Sequence, residues 1–328
     1  MRAAVYRRYG PPDVVRIEDV PKPVPKDDEV LVRVRATTVA AADWRLRRAD
    51  PALIRLMNGL WRPTKTLTLG IEFAGTIETV GKAVTCFRAG DEVFGSTGFR
   101  FGAHAEYLCA PGSSLAARPA NMPLDEAAAV MFGGISALHF LKEARIEAGH
   151  RVLVYGASGS VGVFAVQLAK HFGAHVTAVC GTSNLGLVKS LGADAVVDYT
   201  KEDFSKAGRV YDIVFDAVGY SGFRRSLRSL KRGGPYVRCG AARGTVPILG
   251  ATLLGAWTSW TGAARVIGGV ARFTPEHRAL LKDLIEAGKL RTVIDKRYTL
   301  DQIAEAHRHA EAGHKKGHVL VLVEQAKA

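Results

Sequence analysis

The chain has 328 residues, long for one domain and comfortable for two. Its 48% hydrophobic and 23% charged content is the balance of a folded globular protein and excludes a disordered or fibrous chain. Lys and Arg outnumber Asp and Glu by 45 to 31, a net +14, but the basic residues are scattered and no aromatic-interleaved basic motif occurs. The surplus therefore reads as a basic surface that attracts an anionic cofactor, and a nucleic-acid partner is not expected.

The four cysteines, Cys86, Cys109, Cys180 and Cys239, are far apart in sequence, which excludes Cys-x-x-Cys and zinc-ribbon spacings. They fit small buried hydrophobes in a reduced, cytoplasmic compartment. Met1 to Arg8 has no apolar signal core and reads as a first strand. The long uncharged run, Gly244 to Ala264, could span a membrane by length. It carries Pro247, four glycines and several hydroxyls, which suit a buried or interfacial loop-helix, so no membrane partner is expected.

Taken in order, residues 1–118 read as strands and turns. Val30 to Val34 alternates apolar with charged, as a half-buried strand does. Gly70 to Val80, Asp91 to Phe94 and His104 to Cys109 continue the pattern, which predicts a barrel-like β domain. Near Asn121 the composition changes, and Leu124 to Met131 and Gly133 to Lys142 read as helices. From Arg151 strand and helix alternate. Strands are expected at Val152–Tyr155, His175–Cys180, Ala195–Val197, Val210–Asp216 and Tyr236–Arg238. Helices are expected at Val161–Phe172, Leu185–Leu191 and Gly222–Leu230. Such alternation builds a parallel sheet covered on both faces. Pro275 opens a helix through Ala287, residues 289–298 are extended, and a helix at Asp301–Glu311 and a strand at His318–Val323 end the chain. That tail is expected to pack back on the N-terminal domain. The division is therefore 1–120 plus 265–328 for a β-rich substrate domain, with 121–264 inserted as a cofactor domain.

Val152 to Gly162 carries the chemistry. An apolar strand runs into Gly156, Gly159 and Gly162, and the apolar stripe of Val161, Phe164, Ala165, Leu168, Ala169 and Phe172 follows at helical spacing. Glycines between a strand and a helix let a diphosphate approach the helix N-terminus. The same spacing also occurs in a tight turn with no ligand. The second strand ends Cys180-Gly181-Thr182-Ser183-Asn184, without the carboxylate that would bind a ribose 2′-hydroxyl. Thr182 and Ser183 can donate to a 2′-phosphate, and Lys189 offers either added charge or a solvated helix face. This favours NADPH over NADH.

Several further segments accompany the turn: Gly70-Ile-Glu-Phe-Ala-Gly75, Val80-Gly81, Phe87 to Val93, Gly102-Ala-His-Ala-Glu-Tyr107, Leu191-Gly-Ala-Asp194, Asp198-Tyr199 and Gly313-His-Lys-Lys-Gly-His318. With these motifs in order over nearly its whole length, the chain resembles the medium-chain dehydrogenase/reductases, in their zinc-free quinone oxidoreductase-like branch. The resemblance implies an α/β protein in which a Rossmann doubly wound parallel sheet is inserted in a β-rich, GroES-like barrel domain. It also implies hydride transfer with a nicotinamide cofactor, and commonly a homodimer. It puts the cofactor diphosphate on Ser158, Gly159, Ser160 and Val161, beside the turn glycine Gly156, and its adenosine phosphate near Gly181, Thr182, Ser183 and Tyr199. The turns Val218-Gly219 and Gly240-Ala241 would flank the nicotinamide ribose. His318 stands where the family often has Lys or Asn.

Departures from the zinc enzymes of that superfamily are informative. Asp43 is present, but the cysteine expected three residues before it is Ala40, and Ile71 replaces the histidine expected before Glu72. Neither side chain can ligate zinc, so no metal is expected. Without a Lewis acid, reduction of an electron-poor quinone or enone is easier than oxidation of an alcohol. Ala40 also stands where many of these quinone reductases have Asn. Asp43, His104 and Tyr107 remain as candidate proton donors. Each also has a structural reading: Asp43 as a loop cap, His104 on a strand face, Tyr107 as a core aromatic. Water or substrate could supply the proton instead. Trp44, Phe132 and Trp257 could line a substrate cleft shaped by residues 44–62 and 247–272, or pack in a core. The function expected is NADPH-dependent reduction of a quinone or activated carbonyl. The alternatives are a trans-2-enoyl thioester reductase and a non-catalytic NADPH-binding regulator or RNA binder.

Overall fold

The computed structural model describes residues 1–239 and 262–323. Gly240, Ala241, Trp257 and most of the uncharged run lie outside the described residues. Two compact units form, one from 1–132, 273–288 and 292–323, the other from 133–239, 262–272 and 289–291.

The first unit is built on the ten-residue strand Glu29–Thr38. Val30, Val32 and Val34 are buried while Arg33 and Arg35 are exposed, the alternation of a half-solvated antiparallel sheet. That strand pairs antiparallel with Glu72–Val80, with Tyr107–Pro111 and with the C-terminal strand His318–Leu322. Ile294–Thr299 then adds parallel to His318–Leu322. Strands from residues 29–117 and from the tail at 294–322 therefore share one sheet, while Arg2–Tyr6 pairs separately with Val15–Asp19. The helix Ile303–Ala312 buries Ile303, Ala306, His307 and Ala310 on one stripe and stops at Gly313, whose φ of 81° makes a left-handed C-cap.

Among its described residues the second unit holds six strands, all parallel: Ala195–Asp198, His175–Cys180, Arg151–Tyr155, Ile213–Asp216, Pro235–Arg238 and Arg265–Gly268, in that spatial order. Numbered along the unit, this is order 3-2-1-4-5-6, the doubly wound arrangement. Its switch point lies between Arg151–Tyr155 and Ile213–Asp216. Leu153, Val154, Val214 and Phe215 at the centre are fully buried, as strands covered on both faces require.

The differences from expectation are local. The first Ala-rich helix ends at Ala127, and the next runs Met131–Glu143. The strand expected from His104 begins at Tyr107, because Ala105 bridges to Ala3 instead. Arg265–Gly268 is too short, and too close to glycine, to be read as a strand without its partner Pro235–Arg238. It carries the parallel sheet beyond residue 264.

Candidate cofactor site and buried acid cluster

In the second unit, Arg151–Tyr155 ends at Gly156, whose φ is 75°. The chain turns there because Gly156 and Ala157 both donate backbone N–H groups to Val179 O, at 3.0 and 3.1 Å. A Cβ on Gly156 would sit 2.8 Å from a methyl of Val218, the turn residue after the fourth strand. The turns following the first and fourth strands thus touch at the switch point, where open α/β sheets bind ligands. Gly159 is the N-cap of the helix Ser160–His171 and places no side chain over its first turn. Gly162 is fixed by contact: a Cβ there would lie 2.1 Å from Gly156 O. Ser158 Oγ accepts from Asn184 Nδ2 at 3.0 Å, which ties the glycine turn to the turn after the second strand.

That second turn holds the other predicted residues. A Cβ on Gly181 would meet the Tyr199 ring at 3.6 Å, so Gly181 and Tyr199 stand face to face. Tyr199 is half exposed. Thr182 Oγ1 donates to Asp198 Oδ2 at 2.5 Å, while Thr200 donates through Oγ1 to Asp198 Oδ1 at 2.7 Å. These hydroxyls hold the Asp198 carboxyl below its usual range. Sequence reasoning named Asp198 only as part of a motif and missed this bond, because the acid closes the third strand and reaches Thr182 only through the Asp198–Cys180 register. Lys189 is exposed in the last turn of the helix Leu185–Ser190, at the end away from Thr182. Asp216 was missed too. Fully buried, it accepts from the backbone of Gly219 at 2.7 Å and from Ser221 Oγ at 2.6 Å, which shapes the Val218-Gly219 turn.

In the first unit, Asp43 and His104 are both fully buried. Asp43 Oδ2 accepts from Ala40 N and Oδ1 from Gly70 N, each at 2.7 Å, so it caps the helix Ala41–Arg48 and pins the chain before Ile71. Burial raises its carboxyl to about 7. Glu72 Oε1 accepts from Phe132 N at 2.6 Å and Oε2 from Thr38 Oγ1 at 2.7 Å, and burial again raises the group to about 7. The carbonyl of the same Thr38 accepts from His104 Nε2 at 3.0 Å, and burial lowers that imidazole to about 4. Burial lowers Lys315 to about 8, against the attraction of the Glu72 carboxyl. His318 is buried at the start of the last strand and lowered to about 3 by burial, then by Lys315. Tyr107 is apart from this group, its ring 3.8 Å beneath the Lys22 ammonium. Trp44 packs in the core of this unit, and Phe132 stays partly exposed. Among the described residues no group of three or more His, Cys, Asp or Glu is placed to hold a metal.

Comparison with known proteins agrees with this architecture. An alcohol dehydrogenase GroES-like domain family matches residues 26–120, and a zinc-binding dehydrogenase family matches 191–321. The chain is 32% identical to a 2-methylene-furan-3-one reductase of Solanum lycopersicum, over 98% of this chain and 79% of that protein. It is also 32% identical to an NADPH-dependent alkenal/one oxidoreductase of Arabidopsis thaliana, with the same coverage. The solved quinone oxidoreductase of Coxiella burnetii superposes with a TM-score of 0.88 at 29% identity, covering 99% of both chains. The chain belongs to the medium-chain dehydrogenase/reductase superfamily, in its quinone-oxidoreductase-like branch.

Proposed function

We propose that the protein is an NADPH-dependent oxidoreductase that reduces quinones, enones or related activated carbonyls without a metal. The observation that carries this reading is the glycine turn at the switch point of the parallel sheet, where the helix Ser160–His171 begins at an N-cap glycine, Gly159, that brings no side chain. Backbone N–H groups from Ser160 and Val161 would hold the diphosphate there. Gly181, Ser183 and Tyr199 would receive the adenosine phosphate. NADPH fits better than NADH because residues 181–184 offer no carboxylate at the end of the second strand, while Ser183 adds a hydroxyl donor there. When bound, the reduced nicotinamide supplies hydride to the acceptor. Ala40 and Ile71 have no lone pair to give a metal at the superfamily's zinc-ligand positions. An acceptor that is already electron-poor needs no Lewis acid.

The proton then comes from solvent. Asp43 and His104 are sealed and bonded inward, and the Tyr107 ring lies under Lys22. Oxidation of NADPH by a panel of quinones, alkenones and enoyl thioesters tests both points. Turnover with a quinone or enone is expected, and Tyr107→Phe is expected to retain it within about threefold. A side chain acting as general acid would cost about a hundredfold or more when removed. Turnover only with enoyl thioesters would move the assignment to that substrate class, and no turnover with any acceptor would refute an enzymatic role.

A further inference from the structure

We propose that the segment Leu53–Lys65 of the first unit is a docking surface for anionic membrane lipid. It stands independently of which acceptor the enzyme reduces. Five of the large hydrophobic side chains exposed in the protein fall in nine consecutive residues: Leu53, Leu56, Met57, Leu60 and Trp61, the last 86% exposed. This is not the outer side of a loosely attached loop. Asn58 is buried and donates to Tyr6 Oη at 2.8 Å while its own oxygen accepts from Thr66 N at 2.8 Å. Tyr9 Oη donates to Gly59 O at 2.8 Å, and Pro63 is buried. Polar anchors therefore hold the inner side, and the apolar side chains are committed outward. A contiguous exposed apolar patch of this kind marks an interaction site.

The charge around it selects the partner. No acidic residue occurs between Asp50 and Glu72, whereas Arg55, Arg62 and Lys65 are exposed in that interval. Arg62 and Lys65 have no ion-pair partner among the described residues, and Arg55 lies over the Tyr9 ring. An exposed Trp with Leu and Met beside it in the chain, in a segment that also carries the unpaired cations Arg62 and Lys65, is the composition of a surface that lies in the interfacial layer of an anionic bilayer. The chain as a whole is +14, so long-range attraction to such a bilayer has the same sign. The insertion is peripheral, since no described helix is long and apolar enough to cross a membrane.

Co-sedimentation of the full chain with vesicles tests this. Wild type is expected to pellet with vesicles of mixed phosphatidylcholine and phosphatidylglycerol, to stay in solution with phosphatidylcholine alone, and to be released by added salt. Leu56→Ser/Met57→Ser/Trp61→Ser is expected to lower the partition coefficient by about tenfold or more. Arg62→Gln/Lys65→Gln, which leaves the apolar side chains intact, is expected to lower it by about fivefold per charge. Wild type remaining in solution with anionic vesicles overturns the proposal. So does a triple-serine variant, folded by circular dichroism, that pellets as well as wild type. Loss of a dimer in the triple variant, with no vesicle binding by wild type, would give the face to a second copy of the chain and also overturn it.

Discussion

Gly159→Ala is expected to leave the fold intact and to weaken NADPH binding by about tenfold or more. The two halves of that result have separate causes. Gly159 has φ −83° and ψ 176°, extended backbone open to any residue, and an added Cβ would meet only Gly156 O at 3.5 Å. The stability change should therefore stay within about 0.5 kcal/mol. Nothing in the protein itself requires glycine there. The added methyl would stand at the uncapped start of Ser160–His171, where a diphosphate has to come close to the backbone. Gly162→Ala is the matched control. Its Cβ would collide with Gly156 O at 2.1 Å and Ala157 Cα at 2.7 Å, backbone atoms that cannot turn aside. Overpacking of that kind costs about 1–3 kcal/mol, so this variant should lose both melting temperature and binding. Thermal melts with and without NADPH separate the cases. A Gly159→Ala protein that binds as tightly as wild type would remove the cofactor from this turn.

The second large effect concerns Glu72. Its carboxyl is raised from the usual 4.5 to about 7 by burial. A carboxyl raised on folding contributes stability that is complete below the unfolded value and is lost as pH rises through the folded one. The window runs from about pH 4.5 to somewhat above 7 and amounts to about 3 kcal/mol. Glu72→Gln cannot ionise, and it keeps an oxygen for Phe132 N while the Thr38 hydroxyl turns to accept from the new amide. Relative to wild type the variant should gain stability steadily as pH rises from 5 to 8. Asp43, raised to about 7, and His104, held near 4, titrate in both proteins and largely cancel in the comparison. Denaturant unfolding of both proteins across that range checks the slope. A constant difference would mean that Glu72 is ionised throughout, with Lys315 outweighing burial.

How much of this was legible in the sequence follows from how local each signal is. The strand, glycine turn and helix of Val152–Phe172 lie in one stretch, so their order could be read directly, and the structure places Gly156 and Val218 against each other at the switch point. The tail was legible because His318–Leu322 carries its own apolar pattern. The Thr182–Asp198 bond was not, since sixteen residues separate its ends and only the parallel register brings them together. Asp216 looked like the end of a strand, and its role in holding a turn depends on five backbone and hydroxyl donors that converge in space. Thr38 linking Glu72 to His104 required two strands and the segment before Tyr107 to be placed first. Leu53 to Trp61 lies within the stretch read as shaping a substrate cleft, and its exposed face was not legible, because an apolar run does not announce which of its faces stays in solvent. His307 illustrates the same limit. It lies on the apolar stripe of its helix, fully buried, with neither ring nitrogen bonded and its ring 5.4 Å from that of His104.

Isothermal titration of the purified protein with NADPH, and separately with NADH, measures the central claim most directly. Saturable binding of one NADPH per chain, tighter than that of NADH, is the predicted result. Absence of binding heat and of competition for either nucleotide would contradict the account, whatever the acceptor.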